Sequence, residues 1–426
     1  MILMETDLQP DFISELPTSI IETILTKLPI RDAVKTSILS TKWRYKWVSL
    51  THLVFDDRSS TNYNDRALIQ EKIVNFITRC LFLHEGPIHK FSLCSSYLQS
   101  SPDIDQWLLF ISRKAVKELI LELGEGEWFR APSSIFLCKN LTRLELVRCE
   151  LDPPFNFSGF SFLKYLNLQQ VLIPPDDIEC LISRCPLLES LTLSYFDSLE
   201  LTVRAPNLKY LILEGEFKDL CLASAPSLVA ISVAMYMTDD IFEHFEQSSS
   251  CNFDKLLGGV PKLERLIGHI YFTKYLSIGN SHKRSLLTFN DLKYIELYQV
   301  GFDDVKEILV VLQLIVISPN LKALQISGSS NVNAATQAPD LQFWDENSFT
   351  GCTFNQLKIV KLSDISGVPQ EMKFIEFLLE RSPCLEEMSI SPSLYVTEGR
   401  LNMLIDLVGF RRASPRASIN FIREPV

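Results

Sequence analysis

The histidines, cysteines and paired aspartates are the residues whose types could do chemistry here, as metal ligands, nucleophiles or proton carriers. Their spacing assembles no centre. The six histidines, His52, His84, His89, His244, His269 and His282, show no pairing at metal-ligand spacing. Cys180 and Cys185 are the closest cysteines and do not form a Cys-x-x-Cys pair. Asp176-Asp177, Asp239-Asp240 and Asp303-Asp304 hold oxygens a cation could use. The first and third, however, precede apolar-periodic runs, where acidic residues mark a helix start. None of the 15 glycines forms a phosphate-cradling loop, and a Ser/His/Asp triad is a meeting in space that linear spacing does not reveal. The expectation is a non-enzyme with no metal and no cofactor, so function must lie in surfaces.

The clearest surface runs from Leu16 to Trp47. Ile20, Ile24 and Leu28 recur at i, i+4 and i+8 with Ile21 and Leu25 beside them, which gives one helix a broad apolar stripe. Pro17 with Thr18 and Ser19 reads as a helix start with hydroxyl capping, and Pro29 breaks the run at Leu28. A second helix fits Arg31 to Leu39. Ser40 opens a third that places Trp43 and Trp47 on one face. A bundle of about forty residues is near the lower limit for independent folding and leans on a neighbour. That neighbour is a partner protein, or else the bundle is a cap closing a larger domain of the same chain.

Leu16-Pro17, Ile24-Leu25, Leu28-Pro29, Leu39-Ser40, Trp43-Arg44 and Trp47 together resemble the F-box, by which substrate receptors dock onto the Skp-type adaptor of cullin-based ubiquitin ligases. The resemblance implies an adaptor-binding set of Leu16, Pro17, Ile20, Ile24, Leu25, Leu28, Pro29, Leu39, Trp43 and Trp47, with Ile24 and Leu28 foremost. Some of these must form the bundle's own core, Trp43 among the candidates.

Beyond it a template, apolar-x-x-apolar-x-apolar, recurs. It is found at Val116/Leu119/Leu121, Leu141/Leu144/Leu146, Leu163/Leu166/Leu168, Leu188/Leu191/Leu193, Leu208/Leu211/Leu213 and Leu228/Ile231/Val233. It returns at Leu292/Ile295/Leu297, Leu321/Leu324/Ile326, Leu357/Val360/Leu362 and Leu385/Met388/Ile390, with a weaker copy at Ile88/Phe91/Leu93. Repetition at this spacing means a stacked solenoid in which no copy hides its apolar face alone. A small residue and Pro precede many copies, as in Cys185-Pro186, Ala205-Pro206, Ala225-Pro226, Val260-Pro261, Ser318-Pro319 and Ser382-Pro383. Proline there ends a helix and launches the strand, so helix, proline turn and strand form the expected unit.

The array resembles leucine-rich repeats in irregular form. Only Leu141 to Leu151 carries the full template, with Cys149 at the Asn/Cys position, and Leu263/Leu266 meets Gly268 where a third apolar residue belongs. Thr238 to Gly259 and Gly328 to Ser348 read as polar loops. Phe354, Leu357-Lys358, Val360, Leu362, a helix from Glu371 to Glu380, Ser382-Pro383-Cys384-Leu385-Glu386 and the stretch Phe410 to Ile422 around Ala413-Ser414-Pro415-Arg416 resemble the plant FBD module. Two more repeats and a terminal cap would look much the same.

The expected fold class is α/β. A small N-terminal three-helix bundle is followed by an irregular leucine-rich-repeat solenoid, a parallel sheet with helices on its outer face. The divisions are a tail at 1–10, the F-box at 11–57, the array at 58–350 and the FBD-like module at 351–426. With 426 residues, 46% hydrophobic and 22% charged, the chain has material for a large core. A net charge of -11 argues against nucleic acid as a partner. Met1 to Met4 is too short for a signal peptide, and Ile308 to Ile317 is too short for a membrane span. Ten dispersed cysteines suit buried thiols in a reducing compartment better than a disulfide framework. The family resemblance implies the substrate-recognition adaptor of an SCF-type ligase in the cytoplasm or nucleus, bound to the Skp-type adaptor and through it to a cullin scaffold. Its protein substrate is unknown. The alternatives are a leucine-rich-repeat scaffold without a ubiquitin role and a small-molecule co-receptor.

Overall fold

A computed structural model describes residues 13, 15–57, 66–99, 101–124, 128–238, 252–279, 287–329, 351–394 and 400–422. The chain divides into two compact units, Met1–Asp177 and Ile178–Val426. The expected tail at 1–10, Asp239-Asp240 and most of the expected loop from Gly328 to Ser348 lie outside the described residues.

The first unit opens with helices α1 (Thr18–Thr26) and α2 (Ile30–Lys35), then 3-10 turns at Thr36–Ile38 and Lys46–Ser49. The third expected helix is therefore a run of turns closing in a 3-10 segment, which still buries Trp43 and Trp47. Strands β1 (His52–Asp56), β2 (Lys90–Ser95), β3 (Glu118–Leu123), β5 (Arg143–Glu150) and β6 (Tyr165–Leu172) follow, each parallel to the next, with the two-residue β4 (Phe129–Arg130) beside β5. Helix α3 (Arg66–Leu83) joins β1 to β2, and α4 (Pro102–Ser112) joins β2 to β3.

Register is set by the template. Leu53, Phe91, Leu119, Leu144 and Leu166 stand side by side, and Phe55, Leu93, Leu121, Leu146 and Leu168 form the next row. All are buried, and each such side chain is worth roughly 1.5–3 kcal/mol. The first strand thus lies inside the segment assigned to the F-box, because Leu50/Leu53/Phe55 is itself a copy of the template.

The second unit continues the scheme through β7 (Ser190–Arg204), β8 (Tyr210–Ser224), β9 (Ala230–Met235), β10 (Arg265–Gly268), β11 (Tyr294–Val300), β12 (Ala323–Gly328), β13 (Ile359–Ile365), β14 (Glu387–Pro392) and β15 (Ser418–Phe421). Neighbours in sequence are neighbours in the sheet, all parallel. Helix α5 (Pro175–Ser183) precedes them, and α6 (Asn252–Leu257), α7 (Phe272–Ser277), α8 (Val305–Val316), α9 (Pro369–Arg381) and α10 (Arg400–Gly409) intervene. Asp176 and Asp177 sit in the first turn of α5, and the Asp304 side chain caps α8 by accepting from Lys306 N at 2.9 Å.

Three expectations need correction. Between Leu188 and Leu208, and between Leu208 and Leu228, each pair 20 residues apart, the connection holds no helix. The chain returns as extended strand, burying Leu199, Leu201 and Val203 and then Phe217, Leu220 and Leu222, because the repeat is short and its apolar residues come at close to every second position. Of the expected polar loop from Thr238 to Gly259, residues 239–251 lie outside the described residues, and the remainder holds α6, whose Phe253, Leu256 and Leu257 are buried. At Gly268 the missing third apolar side chain is supplied from elsewhere: a Cβ there would lie 2.1 Å from Phe272 Cδ1, whose fully buried ring takes the place.

The prolines do not merely stop helices. In each of the six small-residue/Pro turns the amide of the first template residue donates to the carbonyl just before the proline. The bonds Leu188 to Cys185, Leu208 to Ala205 and Leu228 to Ala225 are all 3.1 Å. This is a β-turn with Pro at its second position, where its fixed φ fits. It seats each strand at the same height.

Candidate docking surface

Helix α1 begins at Pro17, whose carbonyl accepts from the amides of Ile20 and Ile21 at 2.9 and 3.1 Å; the Thr18 and Ser19 hydroxyls do not cap it. Pro29 plays the same part for α2, accepting from Asp32 and Ala33 at 2.9 Å each. A Lys42–Glu15 ion pair of 2.7 Å ties the chain ahead of α1 to the turn before Trp43.

These elements sort the apolar residues into two sets. Leu25, Trp43 and Trp47 are 0%, 2% and 4% exposed and, with Ile21, Ile30 and Ala33, form the bundle's core. They leave the expected docking set: their side chains hold the bundle together. Ile20 and Ile24 line the face of α1 next to Ile21 and Leu25, with Leu28 just past the helix end; Ile24 and Leu28 are 37% and 36% exposed, and Leu39 is 61% exposed. Leu16 is half-buried, and Pro17 and Pro29 are exposed. Ile38, outside the expected set, is more open than any of these at 87%. The signal for it was the consecutive pair Ile38-Leu39, which a 3-10 turn turns outward.

The bundle is joined directly to the first strands. Thr51 O accepts from His89 N at 2.7 Å and Lys90 N at 3.1 Å, and Val48 O accepts from Glu85 N at 2.8 Å. Buried His84 bonds Leu50 O through Nε2 at 2.8 Å, and burial holds its pKa below the usual histidine range. The bundle therefore covers the start of the array with one face and presents an apolar row on another. Its polar surface around this row carries Lys35 paired to Asp32 at 2.9 Å.

Nothing in the described residues collects a catalytic set. They contain no cluster of three His, Cys, Asp or Glu able to hold a metal, and no helix long and apolar enough to cross a membrane. The nine described cysteines are unbridged; burial pushes the thiols of Cys80, Cys138 and Cys149 up to about 12, away from reactivity.

Comparison with known proteins decides the family. The F-box domain model matches residues 13–54, the FBD model matches 346–390, and the model described as FBD-associated F-box protein At5g56370, LRR repeats, matches 104–326. The chain is 54% identical over 415 residues to the Arabidopsis thaliana F-box/FBD/LRR-repeat protein At1g13570, covering 97% of this chain and 99% of the relative. The chain belongs to the F-box/FBD/LRR-repeat family. More distant Arabidopsis thaliana members include probable FBD-associated F-box protein At1g32375, 24% identical over 96% of this chain and all of the relative, and F-box/FBD/LRR-repeat protein At1g51370, 27% identical over 95% and 94%.

Within this F-box/FBD/LRR-repeat chain, the F-box match takes in the two helices and the start of the first strand. The FBD match includes β13, α9 and part of β14. The later FBD-like residues pack onto these: Ala413 N donates to Leu379 O at 2.9 Å, and Ser414 Oγ donates to Leu385 O at 2.6 Å.

Proposed function

We propose that this F-box/FBD/LRR-repeat protein is the target-recognition subunit of an SCF-type ubiquitin ligase. Its F-box docks a Skp-type adaptor, and through it a cullin scaffold, while its repeats hold a protein target. The observation that carries this reading is that Ile20, Ile24, Leu28 and Leu39 are left outward while Ile21, Leu25, Trp43 and Trp47 are buried in the bundle's core. A helix with two apolar faces needs two partners, and the described residues supply one. The protein itself contributes no covalent step. Its effect is proximity: a target lysine held near a loaded conjugating enzyme meets it at high effective concentration. The cytoplasm and nucleus are the compartments that go with this role.

The test is co-purification with a recombinant Skp-type adaptor. The wild-type chain is expected to form a stoichiometric complex, and Leu28→Asp is expected to weaken it at least ~100-fold, since it removes a buried Leu contact and buries a carboxylate. Circular dichroism and melting of the variant should match wild type, because Leu28 lies outside the bundle's core. A monodisperse wild-type chain that ignores the adaptor overturns the proposal and leaves a repeat scaffold without a ubiquitin role.

A further inference from the structure

Strand β9 shows only small side chains to solvent. Its outward residues are Ala230, Ser232 and Ala234, whereas β8 on one side presents Tyr210, Ile212 and Glu214, and β10 on the other presents Arg265 and Ile267, followed by His269. Register places them in rows: Tyr210, Ala230 and Arg265 in one, Ile212, Ser232 and Ile267 in the next, and Glu214 beside Ala234. Small side chains between large ones on adjacent parallel strands make a trough one strand wide. Its walls stand about 10 Å apart, the spacing of two inter-strand steps, and its outward positions run about 14 Å.

The walls are braced from behind. His269 stacks on Tyr298 with ring centroids 5.1 Å apart and planes 8° from parallel, and Arg265 bonds Glu296 Oε1 at 2.5 Å. Tyr236 closes one end, its hydroxyl donating to Glu214 Oε1 at 2.6 Å. Tyr195, itself left-handed in β7 and exposed, lies within electrostatic reach of Tyr236. Tyr210, Tyr195, Tyr236 and Ile212 are all exposed.

We infer that this trough on β8, β9 and β10 is where the repeats grip the target, and that the gripped segment is an extended peptide carrying an arginine or lysine flanked by apolar residues. The inference rests on the recognition role proposed above. The dimensions suit one extended chain, and the strand is internal to the sheet, so recognition runs through side chains rather than by adding a strand. Exposed tyrosines over a floor of alanine and serine give large, stiff contact area at low entropic cost. Charge selects the cation: in the rows beside the trough, Tyr210 to Glu214, Ala230 to Ala234, Arg265 to His269 and Tyr294 to Tyr298, the carboxylates of Glu214 and Glu296 stand against one guanidinium, Arg265, already joined to Glu296. Tyrosine faces add cation–π attraction, a geometry found within the first unit where the Arg143 guanidinium sits 4.0 Å from the Tyr165 ring centre.

A displayed random heptapeptide library, selected against the full-length chain in complex with its Skp-type adaptor, tests this. Enriched peptides are expected to carry Arg or Lys with an apolar residue within two positions, and their Arg→Glu versions to bind at least tenfold more weakly. Ser232→Arg, which fills the floor, is expected to lower the affinity of enriched peptides at least tenfold. Glu214→Gln is expected to reduce it about tenfold for the basic peptides, with apolar peptides unaffected. Acidic enriched peptides, no enrichment at all, or indifference to both Ser232→Arg and Ala234→Trp overturns the inference. Adaptor binding is the control throughout: if it persists while peptide binding fails, the trough is wrong and the ligase role stands; if peptides bind to a chain that ignores the adaptor, the reverse holds.

Discussion

Glu307 and Glu371 each occupy the third position of a helix and turn back into the loop before it. Glu371 Oε2 accepts from Gly367 N at 2.7 Å and Val368 N at 3.2 Å; Glu307 Oε2 accepts from Gly301 N at 3.2 Å and from the Thr273 hydroxyl at 2.6 Å. Gly301 has no room for more, since a Cβ there would come 2.9 Å from Glu307 Oε1. Burial raises both carboxyls, Glu371 from 4.5 to about 7, against the pull of its amide donors. The folded state thus holds the proton more tightly than the unfolded chain. Its contribution to stability is full below about pH 4.5 and is lost as pH rises to about 7, by up to ~3 kcal/mol. Glu371→Gln is expected to flatten that part of a urea-denaturation pH profile. Within the helical bundle, Trp43→Ala should cost about 3–5 kcal/mol and Leu28→Ala less than about 1, read from the same denaturation curves. The sequence showed a broad apolar stripe on α1 but not which part of it faced inward. The burial of Ile21 and Leu25 along with Trp43 and Trp47 makes that choice, and no helical period encodes it.

A recurring bulge explains the irregularity of the repeats. Arg148, Gln170, Tyr195, Gln299 and Asp364 all have φ between 50° and 61°, each two residues past the third template position. The residue after each, Cys149, Val171, Phe196, Val300 and Ile365, is turned inward and buried. Register shifts mark the same places in β7, β11 and β13. The Asn/Cys position missing from most copies is therefore filled by aliphatic or aromatic side chains, and the template had a fourth apolar place that composition alone disguised. Left-handed geometry costs an ordinary residue about 1–2 kcal/mol and is worse for β-branched ones. Exposed Gln299 is the cleanest site to test it: Gln299→Val should destabilise by about 1–2 kcal/mol in thermal melts, while Gln299→Asn should be neutral or stabilising. Strands were legible because each needs a period of two and a fixed turn. The outer face was not, because a repeat of 20 residues and one of thirty solve the same covering problem with different secondary structure.

Over the second unit, order depends on neighbours on both sides. Leu211, Leu213, Ile231 and Val233 lie in interior strands with fully buried side chains, whereas β15 pairs on the described side only with β14 and leaves Ile419 and Phe421 half-buried. Native-state hydrogen exchange should find the interior amides opening only with global unfolding and those of β15 several kcal/mol sooner. In the first unit, the bonds from Thr51 and Val48 leave no slack between the helical bundle and the opening strands. A ligand that grips α1 then also clamps the strands behind it. Saturating adaptor at 100 times its dissociation constant would add about 2.7 kcal/mol to that unit's unfolding free energy. The protein's shelf life in the cell would then track how much of it is engaged, with idle copies the first to be unfolded and cleared.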